Sequence, residues 1–509
     1  MTQPPGLLGR FAGVLGPATS ILVLGGFVAA AVVWHPAAAV AGVAAGLALL
    51  VAHCSPAGAE RLFLQILGVV LVGYALLGRS FAGLGLPPVY VGELALIVGL
   101  LSVVAGRRHF HLVRTPAAYL LVAFMTWGAV RTVPYLSTYG LDALRDAVVW
   151  GYGIFALLVA SLLVRRNLVG RIPEWYGRAL PWIIVCAPAW VILSEWTGLG
   201  RVPGSPLVAP KAGDVAVHLG GAAAFLLADV WTRPASDRAG LAWLTKWGAS
   251  LALLVGLVAM GSLTRGGLMA AGAAILTVTV LLPSKAVGKI LVAGVTAALV
   301  AVLWLGWGLS LQIREHRAIS PEQIVRNLSS LGGSSGTDNL DGTRRWRLAW
   351  WNSIVDYTVH GKYFWTGKGF GLNIAHDDRS VPAHSLTRSP HNGHLTILAR
   401  AGVPGAMLWG LLQLGFALTM LAGFIRAHQL GESLRASLFA WVLGYWLAFL
   451  VNATFDVYLE GPQGGIWFWC VVGFGFALLG EQRGQIPLPH LGVASGSRRA
   501  QALSQSRAG

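Results

Sequence analysis

Apolar residues run along this chain in blocks of about 20, divided by short polar connections, until one long polar stretch interrupts at 311–390. A helix of about 20 apolar residues crosses a bilayer core roughly 30 Å thick. The pattern therefore predicts spans at about 14–34, 36–53, 61–78, 88–106, 116–133, 143–164, 180–198, 213–231, 245–262, 266–283 and 287–310, then at 405–425, 436–454 and 464–480. Only helices or closed barrels satisfy their backbone inside lipid, and runs of this length select helices. The expected fold class is all-α, a polytopic transmembrane bundle of about 12–14 spans with short helices in one large loop. The chain divides into a transmembrane bundle over 1–310, the polar loop 311–390, C-terminal spans over 391–480 and a tail at 481–509. The tail is rich in Ser, Gln, Gly and Arg and is expected to be disordered and cytoplasmic.

Composition agrees: 55% of residues are hydrophobic and 11% charged, where a globular domain carries about 25% charge. The net charge of +17 follows the topology. With the N-terminus inside, the inner connections include "RRHFHLVR" (107–114), "RRNLVGRIPEWYGR" (165–178), "SKAVGK" (284–289) and "IRAHQLGESLR" (425–435), all basic. The outer "HP" and "RSFAGLGLPPVY" hold one Arg between them, as the positive-inside rule requires. No nucleic-acid motif accompanies the charge, so nucleic acid is not an expected partner. Cys54, Cys186 and Cys470 are isolated and imply neither a disulfide framework nor a zinc site. The first apolar block reads as an uncleaved span.

This orientation puts 311–390 outside and leaves Arg131, Arg145, Arg201, Lys211 and Arg265 on the face where basic residues are scarce. Arg265 lies in "GSLTRGG", a very short turn between two spans whose glycines permit close approach of a ligand. It is either a functional cation or a snorkelling helix-end marker. In "YGLDALRDAVVWGYG", Asp142 shares a helix face with Arg145 and Asp146, as a local ion pair or part of a site. In "PKAGDVAVHLGG", Lys211 and Asp214 open a span and His218 follows one turn inside, facing protein or a cavity. Glu93 reads as another polar group within a span, with a buried, hydrogen-bonded carboxyl as the plainer account.

The outer loop has its own pattern. "TRRWRLAWWNSIVDYTVH" (343–360) has helical spacing, with Asp341 or Thr343 as cap. One stripe holds Trp346, Trp350 and Ile354, another Arg347 and Trp351, and the aromatic stripe lies either in the membrane interface or on the bundle. "FWTGKGFGLN" reads as a glycine-rich turn around Lys368. "SPHNGHLTILARAGVPG" (389–405) reads as a helix start with Ser389 as N-cap and Pro390 in the first helical position. His391 and Asn392 then fall in a first turn whose free N–H groups and dipole favour an anion. Gly402, about three turns on, shares their face, Gly402 and Gly405 allow close packing, and Pro404 kinks the helix. His394 could pair with His391 on a metal, but no further ligands complete such a site, so none is expected.

His391-Asn392, nine residues, Gly402, two residues, Gly405 resembles the histidine motif of the O-antigen ligase and O-antigen polymerase superfamily of bacterial membrane glycosyltransferases. "LTRGG", "RWRLAWWNSI" followed by "GKGFG", and "FDVYLEGPQGGIWFW" (455–469) are similar to further segments of that family in the same order. The resemblance is strongest over about 210–480; the first 200 residues match mainly in topology. It implies a GT-C-like bundle in the bacterial inner membrane. It further implies a cofactor-free, metal-independent, inverting transfer of a glycan from undecaprenyl diphosphate to a hydroxyl on the outer face. The acceptor is another glycan, lipid A-core or a protein Ser or Thr, with polymerisation of an O-antigen, capsule or exopolysaccharide favoured over ligation and a chain-length regulator as a further partner. By the same resemblance His391 is the base, Asn392 orients it, and Arg265 is catalytic. Arg265, Arg347, Arg388, Lys211 and Arg145 are the candidate diphosphate ligands, the last two by location only. Two other classes compete: a solute transporter, which the polar residues within spans permit but no internal repeat favours, and a non-catalytic envelope scaffold.

Overall fold

A computed structural model describes residues 55–86, 89–105, 114–198, 210–231, 239–306, 311–314, 317–320, 323–327, 338–382, 384–385 and 387–482. The spans expected at 14–34 and 36–53, Arg201 and nearly all of the tail lie outside the described residues. The rest is an all-α bundle with two short antiparallel hairpins, Gly85–Leu86 with Val89–Tyr90 and Leu311–Arg314 with Arg317–Ile319.

The helices start where the sequence supplies caps. Ser55 and Thr115, each followed by Pro, cap α1 (Pro56–Leu77) and, beyond α2 (Val91–Ala105), α3 (Pro116–Thr132). Their hydroxyls take up backbone N–H groups three residues on, which have no partner inside the helix. The span expected at 143–164 is two helices, α4 (Leu141–Gly151) and α5 (Gly153–Arg166), bent by 45°. The remaining long helices among the described residues are α6 (Ile172–Thr197), α7 (Ala212–Leu227), α8 (Ala239–Leu263), α9 (Arg265–Leu281), α10 (Pro283–Gly306), α11 (Asp338–Val359), α12 (Gly393–Gln429), α13 (Ser433–Ala453) and α14 (Pro462–Gln482).

Six described helices are long and apolar enough to cross a membrane, and seven if α4 and α5 form one span. Four shorter apolar helices, including α7 and α9, stand among them. Lys211 with Asp214 and Arg265 stand at the starts of α7 and α9, which are 16 and 17 residues long. The chain is a multi-pass membrane protein. Its centre is α14, apolar on every side and buried throughout, as a helix enclosed by other helices must be. Gly473 lets α14 lie against the α5 backbone: a Cβ there would come 2.7 Å from the Ala156 carbonyl oxygen.

The bundle has two chemically different ends. At one, Lys289 Nζ reaches the Leu226 and Leu227 carbonyls at the close of α7, and Lys285 Nζ reaches Ser433 and Ser437 at the start of α13. Buried Glu60 binds Arg165 and Arg166 there as well. The opposite end collects the start of α7, the Arg265 turn, the α13–α14 connection and the start of α12. In α11 the Trp350 and Ile354 stripe packs on Ile374, Ala375, Leu398 and Ala399, with Trp346 against the same cluster. The aromatic stripe thus sits on the bundle. The expected Asp341 or Thr343 cap is overturned: α11 begins at Asp338, so both fall inside it. Cap-forming residues follow one another from Thr337 to Thr343, and spacing alone does not choose among them.

Candidate functional site

The segment 389–405 is built differently from the expected capped helix. The helix starts at Gly393, and its N-cap is Asn392, whose Oδ1 accepts from His394 N (3.0 Å) and Leu395 N (3.1 Å). Ser389 and Pro390 precede it. His391 has φ +54°, a left-handed conformation closed to a helix interior and unfavourable by roughly 1–2 kcal/mol for a residue with a Cβ. His391 is therefore not in the first turn but swung out ahead of it. Gly402 does not share a helix face with it either. Gly402 has φ +70° and ψ −174°, and the helix breaks there and restarts around Pro404. Trp351 Nε1 donates to Pro390 O at 2.9 Å, which fixes the His391 segment to α11.

Around His391 several elements meet. Its Nδ1 is 3.9 Å from Asp456 Oδ1, in the connection between α13 and α14. Asp456 also pairs with Lys211 Nζ at the start of α7 and accepts from Val457 N at 2.7 Å. Burial alone would raise the Asp456 pKa; the His391 ring and the Lys211 ammonium outweigh it and hold the carboxyl well below the usual range. Next to it, Arg347 Nη1 donates to Phe455 O at 3.1 Å. Burial and the charge of Arg265 work against the Arg347 guanidinium and lower its pKa, while Asp456 supports its charge. The Arg265 turn approaches through glycine: a Cβ on Gly266 would lie 3.0 Å from Phe455 Cβ. Trp346 completes the surround, its ring centroid 6.3 Å from that of His391 and edge-on to it. His391, Asp456, Lys211, Arg347 and the Arg265 turn thus form one polar cluster at one end of the bundle.

The other sequence candidates go elsewhere. Arg145 is exposed and lies 4.0 Å from Asp142. Its helix neighbour Asp146 is buried and binds Arg400 at 2.8 Å, Arg388 at 3.5 Å and the Gly371 N–H at 2.9 Å. Arg388 also lies 3.7 Å from Asp142 and donates to Gly371 O at 2.9 Å. His394 has both ring nitrogens engaged, Nδ1 by Trp409 Nε1 and Nε2 at the Leu450 carbonyl. It faces protein rather than His391. His218 lies between the Tyr445 and Tyr458 hydroxyls, and the Glu93 carboxylate accepts from Tyr90 N and Tyr152 OH.

The glycine-rich turn and the kink are one construction. Pro404 has no N–H, so the Arg400 carbonyl loses its helical donor; Gly369 N supplies one at 3.0 Å. Lys368 N serves the Ala399 carbonyl at 2.7 Å, while Val403 N turns outward to Phe364 O at 2.8 Å. Trp127 Nε1 takes the Ala401 carbonyl. Gly367 and Gly369 have positive φ, and a Cβ on Gly367 would stand 2.4 Å from the Arg400 carbonyl. Backbone contact this close explains why glycine occupies both sides of the junction.

Sequence reading did not single out Asp456, Arg400 or Glu460. The available signal was a charge alone in apolar surroundings: Arg400 sits seven residues into α12, and Asp456 and Glu460 punctuate an apolar loop. Burial pushes the Glu460 carboxyl up to about 7, against the hydrogen bonds of Thr396 and Ser389 and the charge of Arg400. Its Oε1 has no hydrogen-bond partner among the described residues.

Residues 250–410 match the family model for O-antigen ligase. The resemblance read from the motifs is thereby borne out. The match indicates an O-antigen ligase- or polymerase-type function, with glycan and lipid substrates in a membrane setting. Arg265, Arg347, Arg388, His391, Asn392, Gly402 and Gly405 all fall inside the O-antigen ligase match, while Lys211 and Asp456 contribute from outside it. No curated protein matches the chain.

Proposed function

We propose that this protein is an inner-membrane glycosyltransferase that moves a glycan from undecaprenyl diphosphate to a hydroxyl on the outer face. The observation that supports this best is the cluster itself, with one imidazole held against an ionised carboxylate beside two arginine-bearing segments. Nδ1 of His391 faces Asp456, which leaves Nε2 for the acceptor. Nε2 takes the hydroxyl proton as the acceptor oxygen attacks the anomeric carbon, and the carbon–oxygen bond to the diphosphate breaks. A single displacement inverts that carbon. Asp456 stabilises the imidazolium that forms, as a carboxylate does for a catalytic histidine. Arg265 and Arg347 offset the charge gathering on the leaving diphosphate, so the step requires no metal and no cofactor. Asn392 sets the conformation of the residue before it through its cap. Lys211, Arg388 and Arg145 each hold a carboxylate already, and Lys211 acts through Asp456.

Polymerisation is the favoured outcome, and ligation to lipid A-core or to a protein hydroxyl is the alternative. Reconstitution with a defined polyprenyl-diphosphate oligosaccharide, with and without lipid A-core, separates them. Chain growth marks a polymerase, capture by core a ligase, and neither product in any arm refutes glycosyl transfer. The same assay with a metal chelator checks the metal-free step: lost activity, restored by added divalent cation, would refute it.

A further inference from the structure

We propose that Arg388 is a positioning residue rather than a phosphate ligand: together with Asp146 and Arg400 it forms a buried ionic hub that sets where the His391 segment stands. The proposal rests on the role given to His391 above. Asp146 Oδ2 receives three donors, Arg400 Nη1 at 2.8 Å, Gly371 N at 2.9 Å and Arg388 Nη2 at 3.5 Å. Arg400 is 2% exposed and also donates to the Gly369 and Leu372 carbonyls at 3.3 and 3.2 Å. Arg388 spends the same Nη2 on Gly371 O and faces a second carboxylate, Asp142.

These contacts tie four pieces of chain together: α4 through Asp142 and Asp146, the glycine-rich turn through Gly369 and Gly371, α12 through Arg400, and the approach to His391 through Arg388. Arg388 is three residues before His391. On the other side of that residue, Asn392 caps α12, which carries Arg400 two turns on. The segment holding His391 is therefore fixed at both ends to one buried carboxylate. A guanidinium between two carboxylates meets a field that disfavours an approaching phosphate, whereas Arg347 meets Asp456 across a cluster it shares with Arg265. A buried pair that loses one partner leaves a charge uncompensated and strongly perturbs its surroundings, so the hub is expected to behave as a unit.

The experiment combines steady-state kinetics with hydrogen exchange on the reconstituted full chain, comparing Arg388→Gln, Asp146→Asn and the double variant. A hub predicts that each single variant lowers kcat by at least about tenfold with donor KM within about twofold, and that the double is no worse than the poorer single, as coupled neighbours behave. Backbone amides over 388–395 should exchange faster in both singles and keep the wild-type rate in Arg178→Gln at the opposite end. A donor KM raised tenfold or more by Arg388→Gln and untouched by Asp146→Asn would make Arg388 a phosphate ligand and overturn the proposal. Unchanged exchange over 388–395 in both singles would overturn it as well. Should the wild-type chain transfer no glycan, the glycosyl-transfer reading fails by itself, and the exchange measurement alone decides whether the hub holds the segment.

Discussion

Replacing Gly402 with alanine strikes the junction that shapes the site. The residue has φ +70° and ψ −174°, a region that is essentially glycine's alone and is unfavourable by about 1–3 kcal/mol for other residues. A Cβ would come 2.5 Å from Phe364 O, 2.9 Å from Gly367 N and 3.0 Å from Thr366 N. All three are backbone atoms and cannot rotate aside. Relieving the contact pulls Val403 N from Phe364 O, a hydrogen bond worth about 1 kcal/mol net. The expected loss is about 2–4 kcal/mol. Unfolding entropy of roughly 2.1 cal/mol/K per residue gives about 1 kcal/mol/K for a chain of 509 residues. The midpoint of thermal unfolding should then fall by about 2–4 °C, with a larger loss of transfer activity because the His391 segment is anchored to the same junction. Gly410→Ala is the control: nothing lies within 4 Å of its Cβ position, and within a helix alanine is favoured over glycine by roughly 1 kcal/mol. A Gly402→Ala protein that melts with the wild type and transfers at its rate would refute the account of the kink.

Asp456→Asn keeps the shape and removes the charge facing His391; kcat should fall by roughly 10²-fold or more with donor KM little changed, and a wild-type kcat would remove Asp456 from the mechanism. Glu460→Gln should flatten the dependence of stability on pH between about 4.5 and 7. The folded carboxyl titrates near 7 instead of 4.5, so its stabilisation is complete below 4.5 and lost as pH rises through 7, by about 3 kcal/mol in all. Asp456 has the opposite sign, since its folded value is depressed from 3.8. Its contribution is present above that pH and lost only in stronger acid, so the difference between wild-type and Glu460→Gln melting curves at pH 5 and pH 8 reports Glu460 and not Asp456. Trp351→Phe deletes the donor to Pro390 O and should lower kcat several-fold without moving the melting midpoint by more than about 1–2 °C; an unchanged kcat would show that α11 does not hold the His391 segment.

The fold class was legible in the sequence because apolar block length is dictated by bilayer thickness and needs no tertiary information. Segment ends were less so. The 143–164 block carries no proline, yet the chain turns by 45° at Tyr152, where α4 leans mainly on α3 and α5 mainly on α14. His391 and Arg265 could be found because each is a polar residue beside apolar runs within a recognisable spacing. Their geometry could not. Ser389-Pro390 is the stronger cap pattern on paper, but Asn392 makes the cap bonds, and the resulting left-handed His391 turns its ring toward Asp456. The partners Lys211, Asp456 and Arg347 lie 245 residues apart at the extremes, and no local pattern relates them. Location alone supported Arg145 in the sequence, whereas Arg388 was a candidate on the same footing of charge as Arg347; the carboxylates that Arg388 and Arg145 hold set both apart from Arg347.

The most direct measurement is single-turnover transfer from a labelled polyprenyl-diphosphate oligosaccharide to a hydroxyl acceptor by reconstituted wild-type and His391→Ala protein, with donor binding measured in parallel. The wild type should transfer the glycan, and the variant should lose transfer by roughly 10²-fold or more with donor affinity kept. Wild-type rates in the His391→Ala protein, or loss of donor binding as the only defect, would contradict the role given to His391.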